Sequence, residues 1–320
     1  MSATTTGADH GAPPRLVHHA LVYGSDGHFV SVTAPFCQEG LAAGDKVLAV
    51  TTAANIALLR AALGRDADDV EFVEAAGWYD APGRTLAAYD RYVQVHQDGR
   101  RRVRVIGEPV WQGRSAAEET EWIRYESALN AAFAGQPAWI VCPYDERVLP
   151  GRIVAEARRT HPALLTPGGV RPSDAYVEPE SFTCDADALP LPPPPPDPLA
   201  DFPFDGDLHL MRGLVRAAVA PLGMSEERVG LLLLAVNEVV SNAVEHGGGH
   251  GRLVVWAEGP VVVCDVTDPG RMERSLPGFR TPEPTATRGY GLWVVRRVCD
   301  LLEIRTGPAG TQIRLRLSRA

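Results

Sequence analysis

The stretch Asn237-Glu238-Val239-Val240-Ser241-Asn242-Ala243-Val244-Glu245-His246 decides how the second half of this 320-residue chain is read. Leu232, Val236, Val239 and Ala243 recur at helical spacing as an apolar stripe. Glu238, Asn242 and His246 recur every four residues on the opposite face, so one helix presents a carboxylate, a carboxamide and an imidazole in a row. A carboxylate and a carboxamide one turn apart offer a proton acceptor and a hard oxygen ligand to one centre. Magnesium takes such oxygens together with waters and phosphate oxygens. A solvated polar face has the same pattern, and the helix alone does not separate the two readings. Ser225 stands where a cap is needed, Glu226 and Glu227 occupy the first turn, and Gly247 stops the helix.

Downstream of this helix, Leu253 to Ala257 and Val261 to Val266 read as strands joined by Glu258-Gly259-Pro260. A Pro/Gly/Thr-rich loop leads to a second helix expected from Leu292 to Leu302. In the closing strand Ile313, Leu315 and Leu317 alternate with Arg314 and Arg316, giving one dry and one wet face. The second half is therefore α+β, one layer of helices on one sheet. Asp268-Pro269-Gly270 ends a strand where an aspartate can accept a hydrogen bond from an exocyclic amine. Arg288-Gly289-Tyr290-Gly291-Leu292 opens the second helix, and its glycines let backbone N–H groups approach phosphates. Gly310-Thr311 begins the last strand.

In that order and context, residues 205–320 resemble the GHKL (Bergerat-fold) ATPase domain, in the branch holding the anti-sigma-factor serine kinases. The resemblance implies that Asn242 binds magnesium and the phosphates of ATP, and that Glu238 is the general base for an attacking serine hydroxyl. It implies that Asp268 reads the adenine amine, that Gly270, Gly289 and Gly291 line the nucleotide, and that Thr311 supports the adenine contact. His246 matches the pattern, with helix capping as its alternative role. Arg288 is assigned to the γ-phosphate or an acidic partner, with a solvent-facing role equally open. The lid would span about Arg271 to Arg288. Pro269 departs from the family pattern by leaving the first box as DPG without a second glycine, which bears on turnover more than on nucleotide binding.

Seven prolines fall within Pro190 to Pro198, a run that cannot donate to a helix or sheet and extends as a stiff spacer. An inter-domain linker is the plain reading and a PxxP docking ligand the alternative. The division of the chain is thus a tail at 1–14, expected to be disordered, a domain at 15–189, the linker at 190–198 and a domain at 199–320. The net charge of −9 is unevenly held: residues 1–189 carry 17 basic and 25 acidic residues, whereas residues 199–320 carry 14 of each. This balance argues against bulk attraction to nucleic acid or anionic lipid, and no direct DNA binding is expected. No apolar run reaches membrane-spanning length and no signal peptide is recognisable, so a cytoplasmic protein is expected. Five scattered cysteines fit reduced thiols rather than a CxxC metal site.

The first half alternates strands (Lys46 to Thr51, Val70 to Ala75, Val103 to Ile106, Ala138 to Pro143) with helices (Ala54 to Leu63, Ala116 to Phe133), which predicts a mostly parallel α/β sheet. The only phosphate-loop candidate, Gly40 to Lys46, has the wrong spacing and precedes its strand, so no P-loop is expected. The pattern from His18 to Thr52, then Cys142 to Pro150 and Thr160-His161-Pro162, resembles the MEDS sensory domain. That resemblance implies a RecA/KaiC-like sheet whose phosphate loop is lost, and the sensing of a small organic molecule. His19, Tyr23, Cys142, Tyr144 and Asp145 stand at strand ends where open α/β sheets hold ligands, with structural packing as the alternative for each. A redox signal through Cys37 or Cys142 is the other route.

Together these features predict an ATP- and Mg-dependent anti-sigma factor and protein serine kinase. It would sequester an alternative sigma factor and phosphorylate a STAS-type anti-anti-sigma partner, under control of the first domain, as a homodimer. The alternatives are an ATP-binding anti-sigma module without kinase turnover, or a histidine-kinase-like signalling protein. The latter needs a helical hairpin bearing an acceptor histidine; the only histidine between linker and box helix is His209, expected to be packed.

Overall fold

The computed structural model describes residues 15–97, 101–182, 190–272, 276–282, 285 and 289–320. Arg288, Cys184 and the 1–14 tail therefore lie outside the described residues. The first sheet has seven strands in the order β3-β2-β4-β5-β1-β6-β7. These are β1 (Val17–Tyr23), β2 (Lys46–Thr51), β3 (Val70–Glu74), β4 (Val103–Gly107), β5 (Ala138–Asp145), β6 (Ala163–Thr166) and β7 (Gly169–Pro172). All pairings are parallel except β6 with β7. Strands covered on both faces read as unbroken apolar runs, which is why Lys46–Thr51 and Ala138–Pro143 were legible.

One face packs against α1 (Asp26–Ala43) and α2 (Ala53–Leu63), burying Phe29, Phe36, Val47, Ala49 and Leu59. The other carries α3 (Ala75–Trp78), α4 (Pro82–His96), α5 (Ala116–Ala132) and α6 (Gly151–Thr160), around Leu48, Tyr89, Trp122, Tyr125 and Ile140. Ser115 and Glu118 form a reciprocal capping box at the start of α5. The Gly40–Lys46 stretch is the end of α1, a left-handed cap at Gly44 (φ 78°) and the first residue of β2.

The second sheet is antiparallel throughout, in the order β11-β12-β10-β9-β8. Its strands are β8 (Ala200–Phe204), β9 (Gly251–Glu258), β10 (Val261–Asp268), β11 (Leu301–Gly307) and β12 (Gly310–Ser318). Helices α7 (Leu208–Val219), α8 (Glu226–His246) and α9 (Gly291–Val298) cover one face, and Val236, Val239, Leu253, Cys264, Val295 and Leu315 form the core between the layers. Two expectations are corrected here. The helix foreseen to Leu302 ends at Val298: Cys299 turns extended, Asp300 N–H donates to the Arg316 carbonyl at 2.9 Å, and Leu301–Gly307 joins the sheet. An apolar run such as Leu301-Leu302-Glu303-Ile304 fits either state until a strand partner decides.

The foreseen wet face of β12 is also covered, at Arg314. Its guanidinium pairs with buried Asp265, lies 5.0 Å from the Trp256 ring centroid and donates to the Pro192 carbonyl at 2.8 Å. The proline run therefore lies along the sheet, with Leu191 buried beside it.

The two halves meet through α4 and α5 on one side and α9 and β11 on the other. Arg84 donates to Asp300 at 2.9 Å. Buried Glu121 of α5 faces Arg296 at 3.9 Å and Arg305 at 3.8 Å. Gly83 sits so close to the Arg296 carbonyl that a side chain there would collide with it.

Candidate functional site

In the second domain the site is assembled by three elements that the core brings to one end of the sheet. Ser225 accepts from Arg228 N–H and starts α8, whose stripe Leu232, Val236, Val239 and Ala243 is buried on the sheet. That packing turns Glu238 and Asn242 toward the start of α9. A Cβ built on Gly291 would lie 2.9 Å from Glu238 Oε2 and 3.4 Å from Asn242 Nδ2, so the glycine lets the α9 backbone reach both side chains. Gly289 has φ 98°, a conformation that favours glycine. Tyr290 makes no side-chain cap at the start of α9, and that helix start lies beside the carboxylate and carboxamide.

The third element is the end of β10. Asp268 pairs in register with Thr311 of β12 and accepts from Gly270 N–H at 2.8 Å. Thr311 Oγ1 donates to the Gly270 carbonyl at 2.9 Å and lies 3.0 Å from Thr306 Oγ1, which accepts from Met272 N–H at 3.0 Å. Burial pushes the Asp268 carboxyl above the ordinary aspartate range, against the opposing effects of the Gly270 N–H and His250. Gly270 itself is packed against the Gly247 backbone, tying the start of the lid to the end of α8.

The structure thus brings Glu238, Asn242 and Gly291 together, and separately Asp268, Gly270 and Thr311, at one end of one sheet. His246 does not join them: its side chain is exposed, with Nε2 3.8 Å from Glu245. His209 is exposed rather than packed, outside the buried stripe Met211, Val215 and Val219 of α7. Thr306, unread in the sequence, completes the Asp268 end.

The donor set fits a nucleotide with magnesium. It offers one carboxamide oxygen, one carboxylate, a helix start and a half-buried aspartate able to accept from an amine.

Within the Arg271–Arg288 stretch read as the lid, Met272 stays with the second domain, whereas the segment from Leu276 to Thr281 is held against the first. Leu276 and Phe279 belong to the buried cluster of Tyr89, Trp122 and Tyr125. The Arg296 guanidinium lies 3.8 Å from the Phe279 ring centroid and donates to the Pro277 carbonyl at 2.8 Å. Thr281 Oγ1 donates to Asp90 at 3.2 Å.

In the first domain the five strand-end residues separate into different surroundings. Tyr23 donates to Glu108 at 2.9 Å, and Asn55 donates to both at 3.0 and 2.9 Å, so that carboxylate is saturated by Tyr23, Asn55, Thr51 and Thr52. Asp145 is paired with Arg147 at 2.7 Å. His19 lies edge-on to Trp139, with ring centroids 5.8 Å apart, while its neighbour His18 faces the other side of the sheet. Cys142 Sγ is 3.4 Å from His18 Nε2, and the Tyr144 ring stands edge-on to His161 at 5.8 Å. Burial raises the Cys37 thiol to about 12 and the Cys142 thiol well above its ordinary range, which disfavours the thiolate at both in the metal-free protein. Among the described residues no helix is long and apolar enough to cross a membrane.

Comparison with known proteins finds matches to two separate stretches of the chain. The family model "MEDS: MEthanogen/methylotroph, DcmR Sensory domain" matches residues 17–162, and the model "Histidine kinase-like ATPase domain" matches residues 205–317. No curated protein matches the chain. Among solved structures, the RsbU and RsbW domains of Rv1364c from Mycobacterium tuberculosis match at 19% identity over 37% of this chain and 32% of that one, with a TM-score of 0.29. The histidine kinase domain of the E. coli osmosensor EnvZ matches at 21% identity over 39% of this chain and 91% of that one, with a TM-score of 0.23. This chain spans about a third of the Rv1364c structure.

Proposed function

For a chain that joins a MEDS sensory domain to a histidine kinase-like ATPase domain, we propose the role of a signal-controlled, ATP-dependent anti-sigma factor and protein serine kinase. The observation that carries the nucleotide part is the meeting of Glu238 and Asn242 with the glycine-opened start of α9, one sheet-end away from Asp268, Gly270 and Thr311. Asn242 would hold magnesium, which would offset phosphate charge. Glu238 accepts the proton of the attacking hydroxyl, the α9 N–H groups orient the phosphates, and Asp268 accepts from the adenine amine. The substrate in this reading is a serine on a STAS-type anti-anti-sigma partner, and the sequestered protein is an alternative sigma factor. The domain limits are 15–189 and 199–320, the first with RecA/KaiC-type ancestry and a small-molecule signal. The protein acts in the cytoplasm, as a dimer through the ATPase domain, where Leu210 and Leu214 leave an exposed apolar strip on α7.

A second reading, nucleotide binding without turnover, is favoured by one observation: the lid's Leu276 and Phe279 are packed into the first domain. The test is calorimetry with Mg-ATP followed by transfer of labelled phosphate to partners captured from the native cell. Asn242→Ala is expected to abolish binding. Glu238→Ala should keep binding and lower transfer by about 10²–10⁴-fold. Unchanged transfer in Glu238→Ala removes that residue as the base; no ATP binding by the wild type removes the whole reading. Transfer to no partner by wild type leaves the binding module, and an acid-labile phosphoprotein formed without partner indicates a histidine kinase.

A further inference from the structure

Four side chains from four separate segments converge beneath the first sheet: His18 of β1, Glu126 of α5, Cys142 of β5 and His161 just after α6. All are buried, and their donor atoms lie within 4.8 Å of one another. His18 Nε2 is 3.6 Å from Glu126 Oε2 and 3.4 Å from Cys142 Sγ; His161 Nε2 is 3.4 Å from the same Glu126 oxygen. Donors at about 2.0 Å (N, O) and 2.3 Å (S) from a tetrahedral ion lie about 3.3–3.5 Å apart. The three measured separations have the size of tetrahedral edges.

The surrounding hydrogen bonds decide which ring atoms face inward. Asn130 Nδ2 donates to the Ser127 and Thr160 carbonyls at 3.1 and 2.8 Å, which fixes its amide and leaves Oδ1 as the acceptor 3.1 Å from His18 Nδ1. The Ala157 carbonyl lies 2.8 Å from His161 Nδ1. Both imidazoles therefore donate through Nδ1 to an outer acceptor, the arrangement that fixes a metal-ligating histidine. Both present Nε2 lone pairs to a carboxylate and a sulfur. Both Glu126 oxygens and His161 Nε2 are buried without a hydrogen-bond partner. Four inward acceptors around one point, with a single thiol proton among them, call for a cation.

We propose that His18 Nε2, Glu126, Cys142 Sγ and His161 Nε2 form a tetrahedral site for a divalent transition-metal ion of borderline softness, zinc above all. Mixed N, S and O donors suit that class, and magnesium or calcium would take oxygens only. On binding, the Cys142 thiol loses its proton to water and the sulfur becomes the thiolate ligand. Four protein ligands fill the sphere, so the ion acts as a clamp that ties β1, β5, α5 and the end of α6. Trp111, Tyr144, Ile153 and Thr160 pack around Glu126 on the side away from the sheet's core strands, so uptake of an ion requires local opening there. The inference is independent of the nucleotide site.

The test uses the untagged full-length protein, stripped with chelator and reconstituted with zinc or cobalt alone. Elemental analysis should find one equivalent per chain. The cobalt form should show the intense visible bands of a tetrahedral ion and a thiolate-to-metal charge-transfer band. Cys142→Ser should lose the charge-transfer band and weaken binding by at least tenfold; the Glu126→Gln, His161→Ala pair should lose the equivalent; His19→Ala, one residue from His18 but outside the cluster, should keep it. Circular dichroism identifies variants that remain folded. A folded wild type that takes up no ion, a charge-transfer band that survives Cys142→Ser, or a full equivalent retained by the double variant overturns the site.

Discussion

Phe279→Ala tests whether the first domain holds the nucleotide lid. The ring is 1% exposed, sits in the first domain's cluster and stacks beneath the Arg296 guanidinium at 3.8 Å. Truncating a buried Phe costs about 3–5 kcal/mol, the lower end where neighbours can close the gap. Here the exposed flank of the lid can relax, so about 3 kcal/mol is the appropriate figure. If that loss falls on docking of the lid, the docked-to-free ratio drops by about a hundredfold or more. Hydrogen exchange on the full-length protein reads this directly: amides of residues 276–282 should lose protection by that factor, while β2, β5 and β10 keep theirs. The rate of nucleotide exchange should rise in parallel. Unchanged protection at 276–282 refutes the clamp. Uniform loss across both sheets also refutes it, because Phe279 would then be ordinary core.

Burial holds the Asp268 carboxyl above the ordinary value of 3.8, whereas the adenine contact proposed for it needs the carboxylate. ATP affinity is therefore expected to rise with pH through that raised value, and Asp268→Asn should bind weakly with a flat profile by calorimetry; a wild-type profile flat from pH 4 to 7 contradicts the assignment. Gly291→Ala sets a Cβ 2.9 Å from Glu238 Oε2, and should weaken Mg-ATP binding at least tenfold with little change in the denaturation midpoint. Arg314→Ala leaves buried Asp265 with the Gln312 amide but without its cation, and the loss of about 3 kcal/mol in urea unfolding should be largely recovered by joining Arg314→Met with Asp265→Leu.

The second domain was more legible than the first because its chemistry sits on elements with a single clean period. The α8 stripe and its polar face follow from spacing alone, whereas the register that sets Asp268, at the end of β10, beside Thr311, at the start of β12, is seen only in the fold. What escaped was set by partners distant in sequence. The Leu301–Gly307 strand is decided by β12, and the burial of Arg314 by a proline 122 residues away. In the first domain, His18 and His19 are adjacent in sequence and face opposite sides of the sheet, and spacing alone does not tell which imidazole joins the buried cluster of Glu126, Cys142 and His161. Glu126 left no signal at all. It lies on a helix whose residues Glu121, Trp122, Arg124, Tyr125, Glu126, Ser127, Ala128 and Leu129 are all buried, so polar and apolar positions carry no outward face to read.

That helix, α5, also shows how the two domains pack. Glu121 and Glu126 are five residues apart, about 140° around the axis and about 7.5 Å along it. One points to Arg296 and Arg305 of the ATPase domain, the other to the His18–Cys142–His161 cluster. Arg296 in turn holds the lid through Phe279 and Pro277. Two buried carboxyls facing opposite ways from one stretch of helix are costly unless both are partnered, and close packing lies between them. Continuity of packing is the precondition for coupling, and reciprocity is its proof. Whatever ligand of the first domain alters nucleotide affinity must have its own affinity altered by nucleotide to the same factor. A clamp on the lid that no first-domain ligand biases would be structure alone.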